Sequence, residues 1–89
     1  MTYRSAALRV AALVEEKQRA YGDSFGQAGK IMRILYPHGI SPEQYDDVLA
    51  VIRVIDKLFR IANDKGYGGE SPWQDINGYS LLAMVKGEE

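Results

Sequence analysis

Arg53, Asp56, Lys57 and Arg60, together with Asp46 and Asp64, fall in one narrow sector of a helix at about 100° per residue. The strip gathers three cations around Asp56. Arg53 and Lys57 are like charges at i,i+4, which is mildly unfavourable unless an anion sits between them. A phosphate group supplies such an anion, and arginine's planar fork suits it. A plainer reading is a solvated strip in which Asp56–Arg60 and Arg60–Asp64 pair at i,i+4, each pair contributing about 0.2–0.5 kcal/mol. Lys17 lies in line with the apolar Val10, Val14 and Tyr21, so it either snorkels from its helix or points into a functional cleft.

Other residues able to do chemistry are sparser. Glu15 and Glu16 flank Lys17 but have no second carboxylate at i+3 or i+4, so they make only a thin half of a Mg²⁺ site. Glu43, Asp46 and Asp47 sit in the first turns of a helix, where the dipole favours acids. Asp75 has the same explanation; Glu70, on a glycine-rich loop, does not. Gly66-Tyr67-Gly68-Gly69 is no P-loop, because no Gly-Lys-Ser/Thr follows, and reads as a flap or hinge. Trp73 and Tyr79 read first as core or interface anchors. His38 follows Pro37 in a turn and is expected to be exposed.

The elements that position these residues are four helices and no sheet. The first spans about 2–20, with Tyr3, Ala7, Val10, Val14, Lys17 and Tyr21 on one face. The second spans about 24–36, opened by Ser24 with Gln27 in capping-box form and stopped by Pro37. The third spans about 42–64 and the fourth about 72–86, each opened by Ser-Pro-x-Gln: Ser41-Pro42-Glu43-Gln44 and Ser71-Pro72-Trp73-Gln74. Gly87 is the candidate cap after the last of them. More than half of the third helix's circumference is apolar, more than three neighbours within one chain can cover, which points to a homo-oligomer, dimer or tetramer.

The 89 residues read as a single domain, 1–89, that is marginal as a monomer. There is no cysteine and one histidine, which excludes disulfides, thiolate metal sites and a His-rich metal cluster. Eleven Lys and Arg against twelve Asp and Glu, net −1, argue against a protein that coats nucleic acid. Residues 1–40 carry six cations and three acids, but Arg4, Arg9, Arg19, Lys30 and Arg33 gather on no single recognition helix, so direct DNA binding is not expected. No apolar run is long enough to span a membrane, and Met1-Thr2-Tyr3-Arg4 opens no signal-peptide pattern; the expectation is a cytoplasmic protein.

Two groups of residues carry a resemblance. Glu15-x-Lys17-x-x-x-Tyr21-Gly22-Asp23-Ser24 resembles a KN-x-x-YG-x-S element of small, mostly phage-encoded proteins. Asp56-Lys57-Leu58-x-Arg60-Ile61, followed by Glu70, Asp75 and Gly78-Tyr79, resembles the D-K-x-x-R … E … D-x-x-G-Y pattern of the same group, the nucleotide-modification-associated domain family. That family is distantly similar to the MazG-like all-α nucleoside triphosphate pyrophosphatases. The likeness runs from about Glu15 to Leu82. This chain differs from MazG-like enzymes in carrying Arg19 where their third helix-borne acid stands, and in having its only E-x-x-D, Glu43 to Asp46, at a helix start.

The resemblance implies an all-α, MazG-like bundle completed by homo-oligomerisation that handles a nucleotide or modified nucleotide. Lys17, Arg53, Lys57 and Arg60 would contact phosphate, and Tyr21 or Tyr79 would stack on the base. Asp56, Glu70 and Asp75 would be the catalytic acids, either orienting the cations or, through Glu70 and Asp75, holding one Mg²⁺ that bridges the phosphates. With Mg²⁺ the implied reaction is hydrolysis of a nucleoside triphosphate to monophosphate and pyrophosphate; without it the chain binds or sequesters a nucleotide. The alternative class is a non-catalytic phage-type interaction or inhibitor protein, whose polar strip is salt-bridged structure or the contact surface itself.

Overall fold

Thr2 opens the chain's first element: its hydroxyl accepts from the Ser5 N–H at 3.1 Å while Ser5 Oγ accepts from the Thr2 N–H at 3.0 Å, a reciprocal cap for a helix with no acid in its first turn. In the computed structural model, which describes residues 1–88, that helix is α1, Tyr3–Tyr21. It ends at Gly22, whose φ of 56° is the left-handed conformation glycine adopts without penalty. Asp23 follows in the same region, φ 59°, and its carboxylate accepts from the Gly26 N–H at 3.2 Å, capping α2, Ser24–Leu35. The cap is thus Asp23 and not Ser24. Ser24 is the first helical residue, and its hydroxyl is drawn away to Asp56.

The two Ser-Pro starts fall where the sequence places them. Pro42–Gln44 forms a 3₁₀ turn that leads into α3, Tyr45–Asn63, and Gln44 Oε1 accepts from the Ser41 N–H at 2.9 Å. Ser71 accepts from the Gln74 N–H at 3.2 Å and opens α4, Pro72–Gly87. Gly87 is the last helical residue and not a cap beyond the helix. A second 3₁₀ turn, Tyr67–Gly69, lies in the α3–α4 connection. Among the described residues there is no strand, and no helix is long and apolar enough to cross a membrane.

α3 is the central element: α1, α2 and α4 each pack against it. Its amphipathic pattern predicts this, but the core it builds is thin. Ala20, Val48 and Ile55 are the buried apolar residues, joined by Pro72 at the α4 start. Tyr45, Leu49 and Leu58 of α3 stay exposed, as do Leu81, Leu82, Met84 and Val85 of α4. The radius of gyration is 15.8 Å, against about 12 Å for a compact chain of this length. The accessible surface is 6971 Å², against about 5,200 Å² for a compact monomer of this size. Residues 1–14 account for much of the difference, since all of them are exposed except half-buried Ala6.

Candidate functional site

The C-terminal half of α1 lies on α3, and its lower end is tied there by Arg19, whose guanidinium meets the Asp64 carboxylate at 3.0 Å. Above that tie, α1 and the first turn of α2 face the middle of α3 and α4 across a cleft of about 820 Å³. Val14, Lys17, Gln18 and Tyr21 line it from α1; Ser24 and Phe25 from α2. Arg53, Asp56 and Lys57 line it from α3, and Tyr79 from α4. Lys17, Tyr21, Arg53, Asp56, Lys57 and Tyr79, proposed from sequence on three separate helices, therefore share one cavity.

Its electrostatics come from unequal pairing. Lys57 Nζ stands 3.3 Å from Asp75 Oδ2, a half-buried ion pair across α3 and α4 without hydrogen-bond alignment. Asp56 accepts a hydrogen bond from the buried Ser24 hydroxyl. Lys17 and Arg53 have no acidic partner within 4.0 Å among the described residues, the limit that defines an ion pair. Arg53 instead lies over the Tyr79 ring, 5.7 Å from its centroid, a cation–π contact that holds the guanidinium at the cleft wall. Two uncompensated cations and a third shared with Asp75 stand in an otherwise mostly apolar wall that is open to solvent, and together they favour an anion there.

The two tyrosines expected to meet a base both line the cavity, and each has a neighbour there. Tyr21 meets Tyr67 of the glycine-rich loop, ring centroids 6.3 Å apart and 75° between planes, so the loop leans on the cleft through this pair. Tyr79 already carries Arg53. The ring left without a partner is Phe25, 96% exposed at the cleft edge, which sequence reasoning missed. Its signal was its place next to Ser24, directly after the tight turn that joins α1 to α2.

Three proposed site residues lie elsewhere. Arg60, expected to contact phosphate, is 3% exposed and turns under the loop that follows α3. Its guanidinium donates to the Lys65 carbonyl at 3.3 Å and to the Glu70 carbonyl. The i,i+4 pairs Asp56–Arg60 and Arg60–Asp64 do not form among the described residues, because Ser24, the loop and Arg19 take up the same groups. Glu70 serves through its backbone, and its side chain is exposed outside the cleft. Asp75 stands behind Lys57 and does not line the cavity.

This bears on Mg²⁺. Among the described residues no group of three or more carboxylate, histidine or cysteine side chains could hold a metal ion. Asp75 is committed to Lys57, Asp56 to Ser24, and Glu70 is remote from the cleft lining. Mg²⁺ takes near-octahedral oxygen ligation, usually from one or two carboxylates beside substrate phosphates, and Asp56 is the carboxylate that lines this cleft. Comparison with known protein families, with curated proteins and with solved structures finds no match to this chain.

Proposed function

We propose that the cleft binds a nucleotide, with Lys17, Arg53 and Lys57 taking the phosphates and the exposed face of Phe25, beside Tyr21, taking the base. The reading rests on one observation: two cations without acidic partners and a third shared with Asp75 line the same mostly apolar cavity as an unpartnered aromatic ring. Phosphate charge suits the cations, and a flat heterocycle suits the apolar wall and the ring. Asp56 and Asp75 then act on the cations, orienting Lys57 and limiting the excess positive charge, rather than on the substrate. The activity proposed is binding or sequestration, with no hydrolytic step assigned to this chain's own carboxylates. The resemblance to nucleotide-modification-associated domains points to the same ligand class. We also propose that the chain works as a homo-oligomer; its surface excess over a compact monomer, about 1,700 Å², is more than the roughly 800 Å² each partner contributes to an ordinary stable interface.

Thermal denaturation with a panel of nucleosides, nucleoside mono-, di- and triphosphates and inorganic phosphate, in the presence of a chelator, tests the ligand. Nucleotides raise Tm, by the equivalent of about 2.7 kcal/mol at a hundredfold excess over Kd, while nucleosides do so far less. A panel in which no phosphorylated ligand shifts Tm overturns the reading.

A further inference from the structure

We propose that the N-terminal half of α1 docks into the groove between α3 and α4 of a second copy of this chain, and that the exchange is reciprocal. This rests on the oligomeric reading and is tested without nucleotide.

The arm comes first. Residues 3–14 are helical yet mostly exposed in their own chain, where Ala6 is half-buried and Val14 reaches the ligand cavity, with Tyr3 98% exposed and Leu8 and Val10 more than half exposed. A free helix of about a dozen residues is marginal in water even with a good cap. Tyr3, Ala6, Ala7, Val10, Leu13 and Val14 form a stripe about 120° wide along it. Arg4 stands on one flank of that stripe and Arg9 on the other, and there is no acid before Glu15. The arm is an apolar ridge with a positive border.

The groove is its complement. It has a volume of about 590 Å³ and lies between the first half of α3 and the second half of α4. Leu49, Ala50, Leu82 and Ala83 form an apolar floor, with Leu49 and Leu82 both more than half exposed. Glu43, Asp46 and Asp47 stand on its border; Asp46 is matched by Lys86 at 3.7 Å, whereas Glu43 and Asp47 have no cation within 4.0 Å among the described residues. An apolar ridge between two arginines thus meets an apolar trough beside two unmatched carboxylates, the helix-in-groove mode of recognition. Both halves of the match are on every chain, so a pair of copies can satisfy both at once and close as a dimer.

The exchange also completes the cleft. Arg53 and Tyr79 line both the groove and the ligand cavity. An arm seated in the groove buries the outer side of that cation–π pair and closes one end of the cavity with a side chain of the second copy.

Sedimentation equilibrium on the full chain between about 1 and 100 µM, without nucleotide, reads the association directly. The unsubstituted chain dimerises. Arg4→Glu with Arg9→Glu in one variant, and Glu43→Arg with Asp47→Arg in another, each raise the dimer Kd roughly tenfold or more, because each sets like charges against each other. Mixed at equal concentration the two variants recover the dimer, since one arm–groove pair then has both charges reversed and the other has neither. If a variant alone loses its helical circular dichroism, recovery of that signal on mixing supports the proposal and persistent loss overturns it. A monomer throughout the range overturns it together with the oligomeric reading. A dimer that both variants leave unchanged, or a mixture that fails to recover, overturns the arm–groove pairing alone. None of the four substituted residues lines the ligand cavity, and the association is read without nucleotide.

Discussion

Lys57 and Arg53 do different work although they stand one turn apart. Lys57 is half-buried and shared with Asp75, whereas Arg53 is exposed and held only by the Tyr79 ring. On the proposed nucleotide reading, Lys57→Ala removes a phosphate contact and also leaves Asp75 without its cation, so it lowers both ligand affinity and stability. Arg53→Ala lowers affinity by roughly tenfold with stability little changed, the loss of one charge-assisted contact at an exposed position. Isothermal titration beside urea denaturation of the two variants shows this separation. Arg60 makes the sharper stability prediction. Arg60→Ala strips two loop carbonyls of their donor inside a buried contact and costs about 2–3 kcal/mol, read as a fall in the urea midpoint. Arg60→Lys recovers only part of it, because one guanidinium nitrogen, Nη2, donates to both carbonyls and the shorter lysine side chain does not carry its ammonium to that point. Here the sequence misleads in an instructive way. The 3.6-residue period places Arg60 beside Asp56 and Lys57, but a helical sector says which residues share a face and not how far each side chain reaches. Arg60 is one turn nearer the C-terminus of α3, where the departing chain brings carbonyls within range, and it goes to them.

Among the elements, the helix starts were the most legible, because their signals are local. Ser41-Pro42 and Ser71-Pro72 open helices for reasons contained within four residues: a side-chain acceptor, a ring that fixes φ, and an orphan N–H to satisfy. The α1–α2 junction was legible only in position. Its chemistry depends on a residue 32 places away, since Asp56 claims the Ser24 hydroxyl and leaves the cap to Asp23. Gly22 at this junction has a second constraint, for a β-carbon there would collide with the Asn63 side chain at the end of α3. Gly22→Ala is thus penalised twice, by about 1 kcal/mol for the left-handed backbone and again for displacing Asn63 from the Phe59 carbonyl that it bonds at 2.7 Å. Differential scanning calorimetry gives the combined loss, and Asn63→Ala in the same chain recovers the steric part. The cleft was foreseeable residue by residue and not as a shape, because nothing in the spacing of Lys17, Arg53 and Tyr79 sets the angle at which α1 meets α3.

At the scale of the whole molecule, three buried apolar residues and a proline are too few to hold four helices together unaided. On the proposed oligomer, the denaturation midpoint rises with protein concentration, and dilution is the simplest check. Amides of residues 3–14 exchange with solvent faster than those of α3 in dilute solution and become protected as concentration increases. The Arg60 guanidinium holds carbonyls from both ends of the segment 65–70, while Gly66, Gly68 and Gly69 between them are exposed. A span whose two feet are fastened by one side chain is a natural port for foreign sequence. A peptide tag or small reporter inserted between Gly68 and Gly69 lengthens a loop at a cost that grows only with the logarithm of its length, and leaves the fastening at both feet in place.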